Sequence, residues 1–202
     1  VQREILLMKK VLSINSGSSS LKISLFAMPT EHRLAKIMVD YSDDQLVTLT
    51  LPNHELVAQH YSKEITPVEL ALKLLQKYQI ITDPQEIAAI GHRIVSGGEL
   101  FQHSTEITPE MMQKLESINE LAPLHNPANI AGILDAQQLL PECPQIAVFD
   151  TSFHTDLPPE NFLYALPLEY YRKYKVRKYG AHGTSHRFVA QQAAKMLKLP
   201  LN

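Results

Sequence analysis

A short β-rich run followed by a cluster of small polar residues constrains the fold of this chain more than any other stretch. The run Val11–Ile14 leads into five small polar residues, Asn15–Ser19, and apolar side chains then recur at Leu21, Ile23 and Leu25. Alternation with a period of two is typical of a strand that is buried on one face. The stretch therefore predicts a strand, a tight turn and a second, antiparallel strand.

The predicted turn has the composition of an anion-binding site. Gly17 is expected to adopt a positive φ, and the hydroxyl and backbone N–H groups around it can surround an anion. Ser20 and Lys22 are two residues apart, so both are expected to project toward this site, where a lysine offers a mobile charge to a phosphate. The alternative is a serine-rich hairpin with a solvated lysine. This stretch is not a Walker A loop, because it has no Gly-Lys-Ser/Thr ending and is followed by a strand instead of a helix.

Composition narrows the classes of function. The chain has 202 residues, of which 45% are hydrophobic and 20% are charged, and its net charge is −2. This composition is ordinary for a globular protein, and the charge gives no electrostatic footprint for nucleic acid or an anionic membrane. No apolar run approaches the roughly 20 residues that cross a bilayer. We therefore expect no nucleic-acid partner and no membrane partner.

The N-terminal residues and the single cysteine indicate in which cellular compartment the protein is expected. Met8 resembles a natural start, so residues 1–8 are interpreted as an N-terminal extension. The apolar run Ile5–Met8 is too short for a signal-peptide core and precedes the nearby lysines instead of following them. Cys143 has no second cysteine with which to form an internal disulfide, which favours a reducing compartment. Cytoplasmic localisation is expected.

Apolar periodicity and capping residues predict the remaining elements. Thr66 and Thr108 are each followed by proline and by an amphipathic stretch, which is typical of a helix N-terminus. Further strands are predicted at Leu34–Val39, Gln45–Leu51, Leu56–Gln59, Ile87–Ile90 and Ile146–Phe149, and helices at 66–78, 108–118, 126–140 and 184–198. Because strands come first and alternate with helices later, the predicted fold class is α/β, with a mixed β-sheet flanked by helices.

Two loops carry basic residues next to predicted elements. The strand that ends at Ile90 is followed by Arg93, whose planar guanidinium can hold a carboxylate or a phosphate with two N–H groups. The alternative is a structural arginine paired with Glu99. His125 precedes a helix that Asn126 can cap, a position where an anion is favoured. The alternative there is a structural histidine.

Two later stretches complete the candidate site. Asp150 follows a short apolar strand, and ligand sites gather at the carboxyl ends of strands in α/β sheets; the alternative is an Asx turn that ends the strand. His182 and His186 have the spacing of a zinc pair, but the motif contains no glutamate and no third ligand is evident. Thr184 or Ser185 as the N-cap would make a further anion-binding helix start.

These stretches resemble, in order, five motifs of the acetate kinase family and span residues 9–190. The matching segments are Asn-Ser-Gly-Ser-Ser-Ser-Leu-Lys (15–22), Gly-His-Arg-Ile-Val-Ser-Gly-Gly-Glu (91–99), Ala-Pro-Leu-His-Asn-Pro (122–127), Val-Phe-Asp-Thr-Ser-Phe-His (148–154) and Tyr-Gly-Ala-His-Gly-Thr-Ser-His (179–186). Ser96 and Ala181 depart from the histidine and phenylalanine of the family. The chain is identified as a member of this family.

The resemblance implies a ribonuclease H-like lobe of the kind found in actin-like ATPases. Residues 9–150 would form the first lobe without its C-terminal closing helix, and residues 151–202 would begin a truncated second lobe. Chains of the family are roughly double this length, so the present chain resembles their N-terminal half. The full-length protein is expected to be a homodimer, and the 202-residue chain alone is expected to be inactive.

The resemblance also implies a reaction, which is the reversible transfer of the γ-phosphoryl group of ATP to acetate with Mg²⁺, giving acetyl phosphate and ADP. The implied catalytic residues are Asp150, His182 as a transition-state stabiliser, and His125. The implied substrate-binding residues are Arg93, Val95, Leu124 and Ala181. Lys22, Ser18 and Ser20 would face the nucleotide phosphates, and Asn15 would belong to the magnesium site.

The implied role of Asp150 is limited by the acidity of the substrate. A short-chain carboxylic acid has a pKa near that of a glutamic acid side chain, about 4.3, so the nucleophile is already ionised at neutral pH. Phosphorylation of acetate therefore requires no general base. We hypothesise that Asp150 orders magnesium-bound water or positions the substrate.

Ala181 leaves the acyl specificity open. In the family, the aromatic side chain at this position helps to wall the pocket for the acyl methyl group. An alanine is expected to leave room for extra methylene groups, each worth roughly 0.8 kcal/mol when buried. A propionate or butyrate kinase is therefore one alternative function, and a non-catalytic truncated remnant is another.

Overall fold

The structure, a computed structural model, describes residues 8–42 and 44–201. Apart from Met8, the predicted N-terminal extension lies outside the described residues. None of the helices in the described ranges combines the length and the apolar character that crossing a bilayer requires.

A mixed sheet forms the centre of the described chain. Its strands are β1 (Lys9–Ser16), β2 (Ser20–Met28), β3 (His32–Asp40), β4 (Leu46–Thr50), β5 (Leu56–His60), β6 (Ile87–Ile94), β7 (Thr105–Glu106) and β8 (Gln145–Phe149). Their spatial order is β5-β4-β3-β2-β1-β6-β8-β7. β1, β6 and β8 run parallel, and the other neighbouring pairs are antiparallel. The predicted α/β class with a mixed sheet is confirmed.

Helices flank this sheet. They are α1 (Pro67–Lys77), α2 (Pro109–Glu116), α3 (Asn126–Leu139), α4 (Pro159–Phe162), α5 (Leu168–Tyr174) and α6 (Gly183–Leu197), with 3₁₀ helices at Pro84–Glu86, Asn119–Leu121 and Asp150–His154. The predicted caps of α1 and α2 are confirmed. The Thr66 hydroxyl accepts from the Glu69 N–H, and the Thr108 hydroxyl accepts from the Met111 N–H, which satisfies N–H groups that the first helical turn leaves free.

The core lies between the sheet and helices α1–α3. Leu21, Ile23 and Leu25 are buried, so the predicted alternation along β2 is confirmed. One apolar cluster joins β1–β4 to α1, and a second surrounds Phe149, whose ring stacks on that of Phe101 with a centroid separation of 4.5 Å. The second cluster packs directly beneath the end of β8, so it fixes the point from which the chain continues to the next residue, Asp150.

Two local predictions about strands are wrong. The strand predicted to end at Ile90 continues to Ile94, so Arg93 lies within β6 and not in a loop. Gly17 does not have a positive φ. Its small size serves a different purpose, because an added Cβ would come within 3.2 Å of the Ser20 carbonyl oxygen, the group that accepts the hydrogen bond from the Gly17 N–H.

Two predicted helix caps are also wrong. Helix α3 has His125 at its N-cap position and Asn126 inside its first turn. Helix α6 begins at Gly183 after a left-handed His182, so neither Thr184 nor Ser185 is its N-cap. In both helices the polar side chain that was expected to cap the helix instead bonds to another part of the chain. Asn126 bonds to Ser96, and Thr184 bonds to Asp150.

Candidate active site at the carboxyl edge of the sheet

Three parallel strands bring separate parts of the sequence to one edge. The carboxyl ends of β1, β6 and β8 lie side by side because β6 pairs with β1 on one side and with β8 on the other. Polar residues stand at each of these ends, namely Asn15 in β1, Arg93 in β6 and Asp150 directly after β8. Ligand sites of α/β sheets form at such an edge.

Arg93 and Asp150 form the centre of this edge. The Nε and Nη2 atoms of Arg93 donate to Oδ2 of Asp150 at 3.0 and 2.6 Å. The Nη1 atom donates to Oδ1 of Asn15 at 3.1 Å. Asp150 is only 1% exposed, and its Oδ1 accepts a hydrogen bond from the Thr184 hydroxyl. The alternative in which Arg93 pairs with Glu99 is therefore wrong.

The remaining hydrogen-bond capacity of Arg93 decides what this centre can bind. A guanidinium has five N–H donors, and the three bonds above leave one N–H on each of Nη1 and Nη2. The side chain of Arg93 as a whole is 34% exposed, so it is not sealed from solvent. Two N–H groups at the end of a planar fork match the two oxygens of a carboxylate or a phosphate. The geometry thus permits an anion to bind while Asp150 and Asn15 stay in place.

The β1–β2 hairpin borders the same centre. Asn15 lies directly opposite Lys22 in the antiparallel register, so their side chains share one face of the sheet. Lys22 and Ser18 are exposed, and Ser20 is half-buried at the start of β2. The connection is the short loop 17–19, so the backbone N–H groups and hydroxyls of the hairpin stand next to the Asn15–Arg93 pair.

The segment around His182 packs onto Asp150. Gly183 lies so close to the Asp150 carbonyl oxygen that an added Cβ would collide with it. His182 and Ala181 are exposed, and the Ala181 carbonyl oxygen is 3.0 Å from Nε2 of His154. The rings of His182 and His186 are 6.5 Å apart, and the described residues contain no cluster of three or more histidine, cysteine or acidic residues able to hold a metal.

His125 and Leu124 lie at the start of α3. Both are exposed, Leu124 to 76%, and His125 makes no capping hydrogen bond from its side chain. Val95 is half-buried in the turn that follows β6. Among the predicted site residues, side-chain hydrogen bonds join Arg93 to Asp150 and to Asn15, and Lys22 is the strand neighbour of Asn15.

Several residues that hold the site were missed from sequence. Asn126 and Asn129 are 0% and 2% exposed, and their side chains bond to the backbone of Ser96, Val95 and Ser16. Thr151 accepts from the Gly97 N–H. The spacing of the two asparagines by three residues in the first turn of a helix, directly after the motif 122–127, was a signal that both face the same neighbour.

A buried histidine sits under Arg93. His92 is 2% exposed, and its Nε2 lies 2.8 Å from Oε1 of Gln145. Burial lowers the pKa of His92 to about 4, against the opposing effect of the Gln145 hydrogen bond. Desolvation disfavours the imidazolium, so His92 is neutral near pH 7 and links β6 to β8 one residue before Arg93.

Comparison with known proteins decides the family. A model of the acetokinase family matches residues 10–202. The chain belongs to the acetokinase family. It is 48% identical over 198 residues to an acetate kinase from a Geobacillus species, and the match covers 96% of this chain and 50% of that protein. The present member of the family thus spans about half the length of the curated relatives it matches.

Solved structures of the family share its fold. The chain superimposes with a TM-score of 0.88 on acetate kinase from Porphyromonas gingivalis, at 43% identity over 95% of this chain and 50% of that one. A propionate kinase from Francisella tularensis gives a TM-score of 0.86 at 38% identity, again over 95% and 50% of the two chains. The expected actin-like, ribonuclease H-like fold class is confirmed.

Proposed function

We propose that this chain is the N-terminal half of a kinase that reversibly transfers the γ-phosphoryl group of ATP to acetate. The observation that carries the proposal is the state of Arg93. Its guanidinium is held by Asp150 and Asn15 and still has two N–H donors available next to a hydroxyl-rich hairpin. A small carboxylate at those donors would lie between the hairpin and the segment that contains His182.

Phosphoryl transfer requires positioning and charge neutralisation more than covalent chemistry. In the proposed mechanism, Arg93 holds the carboxylate with its two remaining N–H groups. Lys22 and the loop around Ser18 and Ser20 face the nucleotide phosphates. His182 donates to the phosphoryl oxygens as negative charge spreads over them, and His125 assists from the start of α3. Val95, Leu124 and Ala181 surround the alkyl part of the substrate.

Asp150 acts as a positioning group in this mechanism. Three of the roughly four acceptor positions of its carboxylate are taken, two by Arg93 and one by Thr184. An acetate nucleophile is already ionised at neutral pH and needs no base. The contacts of Asp150 therefore favour the orientation of Arg93 over proton abstraction.

The donor set near Arg93 is compatible with Mg²⁺. Mg²⁺ prefers oxygen ligands and is commonly held by one or two protein groups together with substrate phosphates and water. Oδ1 of Asn15 accepts one hydrogen bond, from Arg93, and keeps a second lone pair, so Asn15 would hold the ion, and the remaining acceptor position of Asp150 would order its water. When bound, the ion would supply positive charge to the phosphates.

The proposal extends to organisation. Residues 9–150 form the first lobe and residues 151–202 open the second, and the complete protein is a cytoplasmic homodimer. The division into lobes is supported by the coverage of about half of each relative and by the position of Asp150, the first residue after the last described strand.

A propionate or butyrate kinase is the second candidate function. Ala181 is exposed at the start of the His182 segment, and a small side chain there limits the acyl group less than a ring would. One of the similar solved structures is named a propionate kinase. Both functions would bind the substrate carboxylate at Arg93. They differ only in the size of the space available for the alkyl chain of the substrate.

The test is a hydroxamate assay of acyl phosphate formation by the intact gene product with ATP and acetate, propionate or butyrate. The unsubstituted protein is expected to form at least one acyl phosphate, and Arg93→Gln is expected to lose most of this activity. Arg33→Gln, which changes an exposed arginine on β3, is the matched control and should retain it. Lack of product with all three acids would refute the proposal.

A further inference from the structure

Two buried asparagines connect α3 to the candidate site. Asn126 and Asn129 are 0% and 2% exposed. Every polar atom of each amide group is bonded, as expected of polar groups held away from water. The two residues have the same chemistry, the same burial and the same helical turn, but they bond to different partners.

Asn129 bridges two strand ends. Its Oδ1 accepts from the Val95 N–H at 3.1 Å, and its Nδ2 donates to the Ser16 carbonyl oxygen at 2.5 Å. Ser16 is the last residue of β1 and leads into the hairpin loop, whereas Val95 follows β6 and lies two residues after Arg93. One amide group therefore holds both the phosphate-facing hairpin and the strand that presents the carboxylate-binding arginine.

Asn126 holds only one of these segments. Its Oδ1 accepts from the Ser96 N–H at 3.2 Å, and its Nδ2 donates to the Ser96 carbonyl oxygen at 3.0 Å. Loss of this side chain would disturb the turn after β6 but would leave Ser16 untouched. Asn126 is thus a matched control for any effect that depends on joining the two segments.

We propose that Asn129 is a positioning residue that couples the binding of a short carboxylate at Arg93 to the binding of a phosphate chain at the hairpin. This coupling rests on the proposed function. An anion bound at the hairpin would fix the position of the Ser16 carbonyl group. Because this carbonyl accepts from the Asn129 amide, the amide would be fixed as well, and with it Val95 at the end of β6. Reciprocity requires that the carboxylate strengthens phosphate binding by the same factor.

The test measures this factor directly. Acetate is titrated by calorimetry into the intact gene product with and without saturating inorganic triphosphate, and the ratio of the two dissociation constants is the coupling factor. Asn129→Asp keeps the size and the acceptor for Val95, but when ionised it sets an oxygen against the Ser16 carbonyl. It is expected to reduce the coupling factor by at least about fivefold, while the affinity for acetate alone changes less.

Controls separate coupling from a general loss of structure. Asn126→Asp makes the same chemical change at the same depth and is expected to keep the coupling factor. Lowering the pH protonates the new carboxyl group of Asn129→Asp, which then donates to Ser16 and is expected to restore part of the coupling. If Asn129→Asp does not fold, Asn129→Ser, whose small side chain leaves room for water, is measured in its place.

The outcomes distinguish this inference from the proposed function. Binding of both ligands with an unchanged coupling factor in the Asn129 variants would overturn the coupling alone. An equal loss of the coupling factor in Asn126→Asp would also overturn the proposed coupling, because Asn126 has no bond to Ser16 and the bridge to Ser16 could then not be the cause. If the unsubstituted, intact gene product binds neither acetate nor triphosphate, the proposed function is overturned and the coupling with it.

Discussion

Arg93 and Asp150 are 57 residues apart in sequence and form an ion pair in which two guanidinium nitrogens donate to one carboxylate oxygen. The carboxylate is almost completely buried. A buried carboxylate is tolerated only when it is paired and hydrogen-bonded. Asp150 and Arg93 therefore stabilise each other, and Asp150 fixes the direction in which the two remaining N–H groups of Arg93 point.

The first prediction separates the roles of the two residues. Arg93→Gln removes the charged fork and is expected to weaken acetate binding at least about tenfold, since a hydrogen bond to a charged group contributes about 1.5–3 kcal/mol. Asp150→Asn removes the charged partner that orients Arg93 and is expected to lower turnover, while weakening acetate binding less than Arg93→Gln does, because the guanidinium itself remains. Calorimetry gives the affinity, and the hydroxamate assay gives the turnover.

The pH profile of Asp150→Asn distinguishes positioning from general-base catalysis. If Asp150 only positions Arg93, the residual activity keeps the pH dependence of the unsubstituted enzyme. Loss of most turnover together with loss of a titration assignable to residue 150 would instead favour the general base. Arg33→Gln, at an exposed position on β3, should change neither quantity.

The second prediction concerns acid stability and His92. Its pKa is about 4 in the folded chain because the ring is buried, whereas an unfolded chain has a histidine pKa near 6.5. Between these values the unfolded state binds more protons, so the free energy of unfolding falls as the pH is lowered from 6.5 to 4. The loss attributable to His92 is up to about 3 kcal/mol.

Urea unfolding at several pH values checks this contribution. His92→Asn cannot titrate in this range and is expected to flatten the pH dependence between 6.5 and 4, even if the variant is less stable overall. His32→Gln removes an exposed histidine at the start of β3 and should leave the slope as it is. An equal slope in all three proteins would contradict the assignment to His92.

Sequence periodicity predicted most of the sheet and the caps of α1 and α2, because these depend on local alternation and on side chains three residues apart. The length of β6 was not predictable in this way. Gly91, His92 and Arg93 interrupt the apolar pattern, but they stay in the strand because their backbone pairs with β1 on one side and with β8 on the other, and the bond from His92 to Gln145 adds to this pairing. That pairing is visible only in three dimensions.

The candidate site shows the same limit. The motifs identified Arg93, Asp150 and Asn15 individually, but no spacing in the sequence indicated that they touch. Thr184 has a strong preference for helix N-caps, yet its hydroxyl donates to Asp150, 34 residues earlier. Local capping preference was outweighed by the need of a buried carboxylate for a donor.

The third prediction concerns acyl specificity. Ala181→Phe is expected to restrict the space for the alkyl chain, and each buried methylene group is worth roughly 0.8 kcal/mol, or a factor of about four. The variant should therefore lose catalytic efficiency on propionate and butyrate relative to acetate. Steady-state kinetics with the three acids check this ratio, and equal efficiencies on propionate for the two proteins would contradict it.

The fourth prediction concerns the attachment of residues 159–179. Oε1 of Glu99 accepts from Tyr171 at 2.7 Å and from Arg177 at 2.9 Å. The guanidinium carbon of Arg177 also lies 3.7 Å from the centre of the Phe162 ring. Burial alone would raise the pKa of Glu99, but these hydrogen bonds and the nearby Lys175 leave it lowered, so the carboxylate is charged near neutral pH.

Glu99→Gln is expected to reduce the free energy of unfolding by about 1–2 kcal/mol, because it removes charged hydrogen bonds from a partly buried site. Limited proteolysis should cut residues 159–179 faster in this variant. Glu169→Gln changes an exposed glutamate in the same segment and should show neither effect. Unchanged cleavage in Glu99→Gln would show that the segment is held by its apolar contacts.

The fifth prediction tests the packing of α6 against Asp150. Gly183→Ala adds a methyl group that would collide with the Asp150 carbonyl oxygen and press on Phe153. Overpacking of this kind typically costs about 1–3 kcal/mol, and relief requires α6 to move away, which separates Thr184 from Asp150. Thermal unfolding should show the loss of stability, and hydrogen exchange should show faster opening at the start of α6.

Gly91→Ala provides the matched control for this substitution. It adds the same methyl group at a position where no atom of the described chain, beyond Gly91 and its two chain neighbours, lies within 4 Å, and a strand interior favours alanine over glycine. The free energy of unfolding of this variant is expected to stay the same or to rise by up to about 1 kcal/mol. If Gly183→Ala were as stable as Gly91→Ala, with unchanged exchange in α6, the close approach of α6 to Asp150 would not hold in solution, and the bond between Thr184 and Asp150 would lose its structural basis.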